Sequence, residues 1–472
     1  MEKESSNHQK TEKQMTYDQK ASQLIQSFSH TEDFVVREMV IGEKKIIFCF
    51  IESLIDKEKL STTISLLTNQ TTEGTPLEKL VRQFEMEKTD SELIHSVMIG
   101  KVPLFIEGFH VVPVLDIKLF MTRSPEEPSN ERVIRGSHDG FLERLNSNIN
   151  ILRNRIPNSD FTVKYFTIGK LSKTQCAMVY VNGIVDQGIV SQIENRLNLI
   201  EIDYVTNTGS LEEFLEESTL SPFPQMLSTE RPDRTAANIL DGRVAIMVNG
   251  TPGVLILPVS FFAFYQSPDD YSTRWLTGSF YRQIRLLSFF LATCLPAIYI
   301  SIISFHSEVI PKGLVLLVKK SIEEIPYPPI VEAFILELTL ELLREAGVRL
   351  PNPLGQTIGI VGGLVIGDAV VRAGLVSNIM IVVVALTALS SFIVPTHEMS
   401  ATVRLIRFPL MLSAAVLGFV GISYGLLFLF IHICRLTPYG MPYFSPLAPL
   451  KINHIKDTFI RLPVSKQKKN DM

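Results

Sequence analysis

The chain has 472 residues, a formal net charge of −4 and a mean hydropathy of +0.21. A charge so close to neutral gives no electrostatic case for binding nucleic acid. The averages hide two unlike halves, because residues 1–240 mix charged and apolar side chains whereas residues 284–434 are dominated by long apolar stretches. We therefore expect an α/β N-terminal region followed by an all-α, multi-span membrane domain.

The first 20 residues are polar and contain no apolar core of a signal peptide. We expect residues 1–20 and 465–472 to be disordered, and the N-terminal half to stay in the cytoplasm. The four cysteines form no CxxC pair and are divided between the two halves. This distribution favours a reducing compartment over a disulfide framework.

Residues 21–121 predict a first α/β subdomain. The run KIIFCFI at residues 45–51 predicts a strand, and a helix is expected around residues 91–99. Two apolar runs flank Glu107-Gly108 in residues 100–117, which predicts a hairpin. Residues 122–137 are rich in proline and charge and predict a linker.

Residues 138–257 predict a second α/β subdomain, with a helix at its start, a strand at residues 176–181 and a helix after it. The segment 242–259 has the same pattern as the hairpin at 100–117. Either the two subdomains are internal repeats, or hairpins simply look alike. Asn249-Gly250 and Pro252-Gly253 would break a membrane-spanning helix here, so we predict a hairpin.

Residues 258–283 predict an amphipathic segment lying on the membrane surface. They contain the only tryptophan, Trp275, together with Arg274 and Arg282, and Arg285 follows just after them. Aromatic and arginine side chains of this kind are typical of the cytoplasmic interface.

Residues 284–434 predict the membrane domain, and residues 435–472 predict a cytoplasmic tail. Four stretches are long enough to span the bilayer, at about 284–306, 354–372, 375–395 and 404–434. The last is so long that it must tilt, kink at Pro409 or extend past the membrane. The basic tail and Arg372 agree with the positive-inside rule, whereas Arg404 and Arg407 fall on the outer side and disagree with it.

Residues 308–350 lie between the first two predicted spans and predict an amphipathic or re-entrant segment. Acidic residues recur largely along one side of a helix, at Glu332, Glu337, Glu341 and Glu345, with apolar residues opposite. We prefer to interpret them as a solvated acidic face. The alternative is a vestibule that attracts ions.

The second predicted span carries a glycine at every fourth position, which places Gly355, Gly359, Gly363 and Gly367 in one stripe along a helix. In lipid such a stripe lets another helix approach closely. The opposite face carries Thr357, Val361, Val365 and Asp368. Either Asp368 pairs with Arg372 at the membrane surface, or copies of this helix surround a pore with Asp368 at its mouth.

The sequence contains no phosphate-binding loop, HExxH or GxSxG motif in a suitable context, and its nine histidines are scattered. We expect no catalytic residues, no metal site and no cofactor, and therefore no enzyme.

Several long motifs resemble the A subunit of bacterial spore germinant receptors, the GerA family. They are VIRGSHDGF (133–141), SPFPQMLSTERPD (221–233), GRVAIMVNGTP (242–252), SPDDYSTRW (267–275), ELLREAGVRLPNPLGQTIGIVGGLVIGDAVV (341–371) and PYFSPLAP (442–449). The resemblance covers roughly residues 30–463, in the family's order.

This resemblance implies a subunit of the inner spore membrane, with a cytoplasmic N-terminal region of two α/β subdomains. It implies partners in a transporter-like B subunit and a lipoprotein C subunit, and a homo-oligomer, a pentamer, that forms a nutrient-gated ion channel. The family's pore helix matches residues 354–372, which favours the pore over the surface pair. The alternatives are a secondary transporter and a membrane-anchored scaffold that conducts nothing.

Overall fold

The computed structural model describes residues 17–87, 89–119, 128, 131, 133, 135–323, 325–349, 369–451 and 458–463. The chain divides into two compact units. The sheet unit consists of Met1–Arg132, Ser137–Glu216 and Ser228–Pro258, and the helical unit consists of Val133–Gly136, Glu217–Leu227 and Val259–Met472. The expected order, an α/β region followed by a helical region, is confirmed.

The described part of the sheet unit contains two five-stranded antiparallel sheets with helices. The first comprises α1 (Tyr17–Ser27), β1 (Phe34–Ile41), β2 (Lys44–Ile51), α2 (Lys57–Thr72), α3 (Leu77–Val81), β3 (Glu85–Glu87), α4 (Asp90–Met98), β4 (Lys101–Ile106) and β5 (Val112–Asp116). The second comprises α5 (Leu145–Arg155), β6 (Phe161–Ile168), β7 (Thr174–Val181), α6 (Gln187–Leu199), α7 (Thr208–Leu215), β8 (Leu227–Thr229), α8 (Pro232–Leu240), β9 (Val244–Val248) and β10 (Val254–Leu257).

The two sheets repeat one topology. Their strand orders are β1-β2-β4-β5-β3 and β6-β7-β9-β10-β8, and the helices fall at equivalent places in both. The predicted hairpins are β4–β5, which pairs Lys101 with Asp116, and β9–β10, which pairs Val244 with Leu257. Of the two explanations for the matching patterns, the structure therefore supports internal repeats.

Strand β2 shows why a continuous apolar run forms a strand here. Successive side chains of a strand point to opposite faces of the sheet. Ile46 and Phe48 pack in a cluster with Leu60 of α2. Ile47 and Cys49, on the other face, pack in a cluster with Leu24 of α1. Helices cover both faces of the first sheet, so apolar residues suit every position from Ile46 to Ile51.

A buried ion pair joins the two subdomains within the sheet unit. The Arg153 side chain of α5 is 3% exposed and the Asp33 side chain is fully buried. Arg153 Nε donates to Asp33 Oδ2 at 2.7 Å, and Arg153 Nη2 donates to Thr31 Oγ1 at 3.0 Å. Thr31 Oγ1 in turn accepts the Val163 N–H of β6 at 3.0 Å. The two repeats therefore pack as one body.

Described residues of the expected linker at 122–137 belong to packed structure. Glu131 Oε1 accepts from Arg234 Nη1 at 2.6 Å. Arg231, which is fully buried, donates from Nη2 to Ser137 O at 2.9 Å and to Asp233 Oδ2 at 2.7 Å. The RGSHDG and STERPD motifs therefore meet, and Glu131, one of the charges of the expected linker, is paired.

The described helices of the helical unit are α9 (Asp269–Ser272), α10 (Trp275–Ser304), α11 (Lys312–Glu323), α12 (Pro329–Arg349), α13 (Asn378–Ile393), α14 (His397–Leu417) and α15 (Phe419–Arg435). Residues 369–372 are also helical. Among the described residues, α10 and α14 are long and apolar enough to cross a membrane, and α13 and α15 are shorter apolar helices.

The expected span at 404–434 consists of two helices in the structure. Pro409 lies inside α14, and the break falls at Gly418, whose φ is +62°. A Cβ at Gly418 would lie 3.2 Å from Phe305 Cβ and 3.0 Å from His306 Nε2. Both the left-handed backbone and the close approach require glycine, which explains why α14 ends there.

The expected surface segment at 258–283 also differs. No helix boundary falls near residue 284, because α10 runs unbroken from Trp275. Arg282 is 1% exposed and does not lie at an interface with water. It pairs with the buried Asp270 of the SPDDYSTRW motif at 3.3 Å, and Arg285 Nη1 approaches Asp270 Oδ1 at 2.6 Å. A buried carboxylate needs such partners, and this need draws the arginines inward.

The beginning of the expected tail is packed into the helical unit. Tyr443 of the PYFSPLAP motif is fully buried, and its hydroxyl donates to Pro224 O at 2.7 Å. Its ring contacts Phe223, Phe261 and Phe264 edge-on or at a tilt. This aromatic packing accounts for the motif, which is structural and not part of a free tail.

Thiol reactivity should report the integrity of the sheet unit. Cys49 and Cys176 are fully buried, and burial raises the pKa of each thiol to about 12. Because the thiolate is the reactive form, both should resist iodoacetamide at pH 8 in the folded protein. Both should be alkylated after denaturation, as measured by peptide mass spectrometry.

Replacing Asp33 by alanine should shift that alkylation to lower denaturant concentrations. The Arg153 charge would stay buried without its partner, which costs about 3–5 kcal/mol in the free energy of unfolding. The control is Glu201→Ala, because the Lys170–Glu201 pair is exposed and such pairs contribute about 0–1 kcal/mol. Equal transitions for the two variants would contradict the role given to the buried pair.

Candidate functional site

Helix α12 buries two of its glutamates and exposes several of its apolar side chains. Its sequence is rich in Leu, Glu and Ala, which favour helix, and it begins at Pro329, a favoured first residue. Glu332 is fully buried and Glu337 is 1% exposed. Leu338 and Leu342 are 54% and 64% exposed. The preferred interpretation of a solvated acidic face is therefore wrong for Glu332 and Glu337.

An ion pair between α12 and α14 lies at the centre of this arrangement. Glu337 Oε2 accepts from Arg407 Nη1, and the two side chains are 1% and 2% exposed. Arg407 Nε donates to Ala292 O of α10 at 2.7 Å. One guanidinium thus ties α10 and α12 to its own helix, α14.

A second charged cluster lies one turn away from this pair on both α12 and α14. Glu341 Oε1 is 3.1 Å from Arg404 Nε of α14 and 3.1 Å from Arg344 Nη1 of its own helix. Arg344 Nη2 donates to Ser391 Oγ of α13 at 3.2 Å, and its guanidinium lies 4.6 Å from the centroid of the Phe392 ring. This cluster is half-buried and connects α12 to both α13 and α14.

Glu332 holds the start of α13. Its Oε2 accepts the Ser377 N–H at 2.8 Å. Ser377 is the N-cap of α13, and its Oγ accepts the Met380 N–H at 3.2 Å. Tyr299 of α10 completes the group, with its hydroxyl 3.2 Å from Ser377 Oγ. Three acidic side chains of one helix therefore fix three neighbouring helices.

The ion pairs bear on the disagreement of Arg404 and Arg407 with the positive-inside rule. That rule concerns free charges. Arg404 and Arg407 are instead ion-paired, so their position says little about topology. The available signal was the complementary spacing of Glu337 with Glu341 and of Arg404 with Arg407, which lie on one face of their respective helices.

The residues that the sequence singled out on the glycine-rich helix lie outside the described part of the chain. They are the packing residues Gly355, Gly359, Gly363 and Gly367 and the pore-facing residues Thr357, Val361, Val365 and Asp368. Within the described ranges, no group of three or more His, Cys, Asp or Glu side chains could hold a metal ion.

Breaking the α12–α14 ion pair from one side should destabilise the helical unit. Glu337→Leu leaves the Arg407 charge buried, and Arg407→Met does the same to Glu337; each should cost about 3–5 kcal/mol. The double variant removes both charges and should recover much of that loss. The readouts are protein level in the membrane and thermal unfolding in detergent.

The matched control for this pair is Glu345→Leu. Its partner Arg349 lies at i+4, and both side chains are well exposed, so the effect should be small. A double variant that is as unstable as the sum of the two single variants would show that the charges do not act on each other.

Three comparisons place the chain among known proteins. The family described as Bacillus/Clostridium GerA spore germination protein matches residues 22–472. Spore germination protein A1 of Bacillus subtilis (strain 168) is 37% identical over 451 residues, covering 94% of each chain. Spore germination protein B1 of the same strain is 42% identical over 375 residues, covering 79% of this chain and 78% of its own.

One solved structure is similar to part of this chain. It is the N-terminal domain of the A subunit of the Bacillus megaterium spore germinant receptor GerK3, 27% identical, with a TM-score of 0.40 over 52% of this chain and 95% of its own. The family match spans nearly the whole chain, and two relatives exceed 30% identity over most of their length. The chain therefore belongs to the GerA family of spore germination proteins.

Proposed function

We propose that this protein is the membrane subunit of a receptor that senses nutrient germinants and triggers spore germination by opening an ion channel. The observation that carries the membrane part is the polarity of the first half of α12, where Glu332 and Glu337 are buried while Leu338 is exposed. Helices in lipid bury their ionisable residues against partners in this way, because a charge facing hydrocarbon is costly. The role in germination is proposed because relatives of this chain are named spore germination proteins.

The sheet unit faces the cytoplasm in this proposal, and the helical unit lies in the inner membrane of the spore. The crossings are α10, residues 354–372, α13, and α14 with α15. The pairing of Arg404 and Arg407 with α12 is compatible with this orientation, because paired charges carry little weight in the positive-inside rule. The receptor also contains a transporter-like B subunit and a lipoprotein C subunit.

The channel forms by oligomerisation, with five copies of residues 354–372 around the pore. Gly355, Gly359, Gly363 and Gly367 let neighbouring helices approach. Val361 and Val365 form an apolar constriction, Thr357 faces the lumen, and Asp368 forms an acidic ring at the mouth. Helix α12 leads into this segment, since it ends at Arg349.

Large side chains on the glycine stripe should prevent the subunits from forming an oligomer. Gly359→Leu and Gly363→Leu place side chains where two helices touch, and spores carrying both should fail to respond to nutrients yet germinate by nutrient-independent routes. The control is Gly313→Leu in α11, where an added Cβ meets open space. Oligomer size in detergent and the nutrient response are measured together. A normal oligomer and response in the double variant would reject the packing role.

The opposite face should control conduction in full-length protein reconstituted into liposomes. Val361→Ala widens an apolar constriction that excludes water, so it should give a leaky channel. Asp368→Asn should weaken cation preference and Asp368→Lys should weaken it further, because each changes the charge of the ring. Cation flux is compared at matched oligomer content. Equal flux and selectivity in all variants would remove this helix from the pore.

A further inference from the structure

The two repeats of the sheet unit align residue by residue at their first strands. Strands β1 (Phe34–Ile41) and β6 (Phe161–Ile168) have eight residues each, begin with Phe, end with Ile and lie at the edges of their sheets. An aspartate directly precedes each strand, Asp33 in the first repeat and Asp160 in the second. The same spacing aligns α1 with α5 to within one residue. Equivalent positions of the two repeats can therefore be compared directly.

The edge of β6 is covered by the first repeat. Val163 O accepts the Glu32 N–H at 2.9 Å, and the Val163 N–H donates to Thr31 Oγ1 at 3.0 Å. The Tyr165 N–H donates to Glu32 Oε2 at 2.7 Å, and Val163 is fully buried. An edge strand exposes unpaired backbone groups, and the loop before β1 occupies those of β6.

Helix α5 takes part in the same contact. Its Arg153 binds Asp33. Its Asn150, which is 2% exposed, donates from Nδ2 to Ser53 O at 2.7 Å. We call β6 with α5 the edge surface of the second repeat, and we call Thr31, Glu32, Asp33 and Ser53 the loop surface of the first repeat. The chain thus makes one contact in which a loop surface binds an edge surface.

The first repeat has an equivalent edge surface, made of β1 and α1, which is exposed. Val36, the equivalent of the buried Val163, is 38% exposed. Gln26, the equivalent of Arg153, is exposed too. Among the described residues a loop surface binds β6 and none binds β1, which accounts for the difference in burial.

A buried polar atom of this exposed edge surface lacks a partner. Gln23 is the equivalent of Asn150, and its Oε1 is buried with no hydrogen-bond partner in the described part of the chain. Gln23 and Gln26 line a cavity of about 320 Å³ against α4. Because a buried polar atom without a partner is costly, this surface suits a binding partner that supplies a donor.

The second repeat has an equivalent loop surface, which is exposed as well. Asp160, the equivalent of Asp33, is exposed. Gly183 follows β7 at the same distance as Ser53 follows β2, and a Cβ added to Gly183 would meet open space. The chain therefore carries a further edge surface in its first repeat and a further loop surface in its second.

We propose that the loop surface of the second repeat binds the edge surface of the first repeat in a second copy of this chain. The second copy is the partner because each copy carries both halves of a contact that it already makes within itself. Asp160 accepts from the Gln26 amide in this contact. Ser159, the equivalent of Glu32, lies beside Val36. A neutral amide replaces the guanidinium of Arg153, so the contact is weaker than the internal one.

The contact joins two different surfaces and is therefore heterologous. Heterologous contacts close into a ring or continue as a filament, and the oligomer of the proposed function requires the ring. The inference goes beyond that function, which places the contacts between copies in residues 354–372. The contact itself rests on the sheet unit alone.

The first test is a disulfide between two full-length chains that carry different tags. One chain has Val36→Cys and the other has Ser159→Cys, and the two are expressed together in sporulating cells. The exposed Cys434 is replaced by serine in both. The matched control replaces Ser159→Cys by Leu171→Cys, because Leu171 is 79% exposed and lies just beyond the other end of β6.

Oxidised membranes should contain at least about tenfold more disulfide between the tags for the Val36 and Ser159 pair than for the control, because only that pair is held within disulfide distance. The equivalent pair inside the chain, Val163 and Glu32, is joined by a backbone hydrogen bond. A yield no higher than the control would overturn the inference, and would mean that the N-terminal segment or another protein covers β1. Disulfides only between two Val36→Cys chains would show a symmetric contact and would overturn it too.

The second test exchanges charges in the same disulfide assay. Gln26→Glu on the Val36→Cys chain sets a carboxylate against Asp160 and should lower the yield about fivefold. Asp160→Arg on the other chain should restore it. A loss that Asp160→Arg does not restore would contradict the pairing of these two residues. Neither nutrient nor ion flux enters the readout, so this contact and the proposed channel can fail separately.

Discussion

The helical unit depends on the buried ion pair between Glu337 and Arg407. Among apolar helices, either charge would be costly to bury without its partner. Glu337 and Arg407 lie 70 residues apart in the chain, and the placement of α12 against α14 brings them together. That same placement brings Glu341 to Arg404. Such pairs add little net stability, because burying the charges costs about as much as their attraction returns. In this structure the two pairs hold α12 and α14 in one register.

The sheet unit, which is built from two repeats, also contains a buried ion pair between its parts. Two copies of one topology are joined through Asp33 and Arg153, which lie at different positions in their repeats. Each sheet is covered by its own helices, so neither copy needs the other for its core. The ion pair instead makes the orientation of the copies specific, which a purely apolar contact between them would leave loose.

The sequence predicted what local pattern determines. Strand β2, both hairpins and the helical C-terminal half follow from period, turn residues and apolar length, which need no knowledge of distant residues. The failures were side chains whose partners the local pattern does not reveal. Glu337 looked solvated although it pairs with Arg407, 70 residues away, and Arg282 looked interfacial although it pairs with Asp270. The break at Gly418 depends on Phe305, more than a hundred residues earlier, and was equally invisible.

The path of the chain limits how receptors of this family can be recombined. The polypeptide passes from the sheet unit to the helical unit and back before it finally leaves at Pro258. A hybrid spliced at that proline from two related proteins would carry Glu217–Leu227 of one parent, whereas Thr402, His432 and Tyr443 would come from the other. The hydrogen bonds within the helical unit that join these residues would then pair side chains of different parents. New members of this family should therefore arise by substitution within a chain more readily than by exchange of whole N-terminal regions.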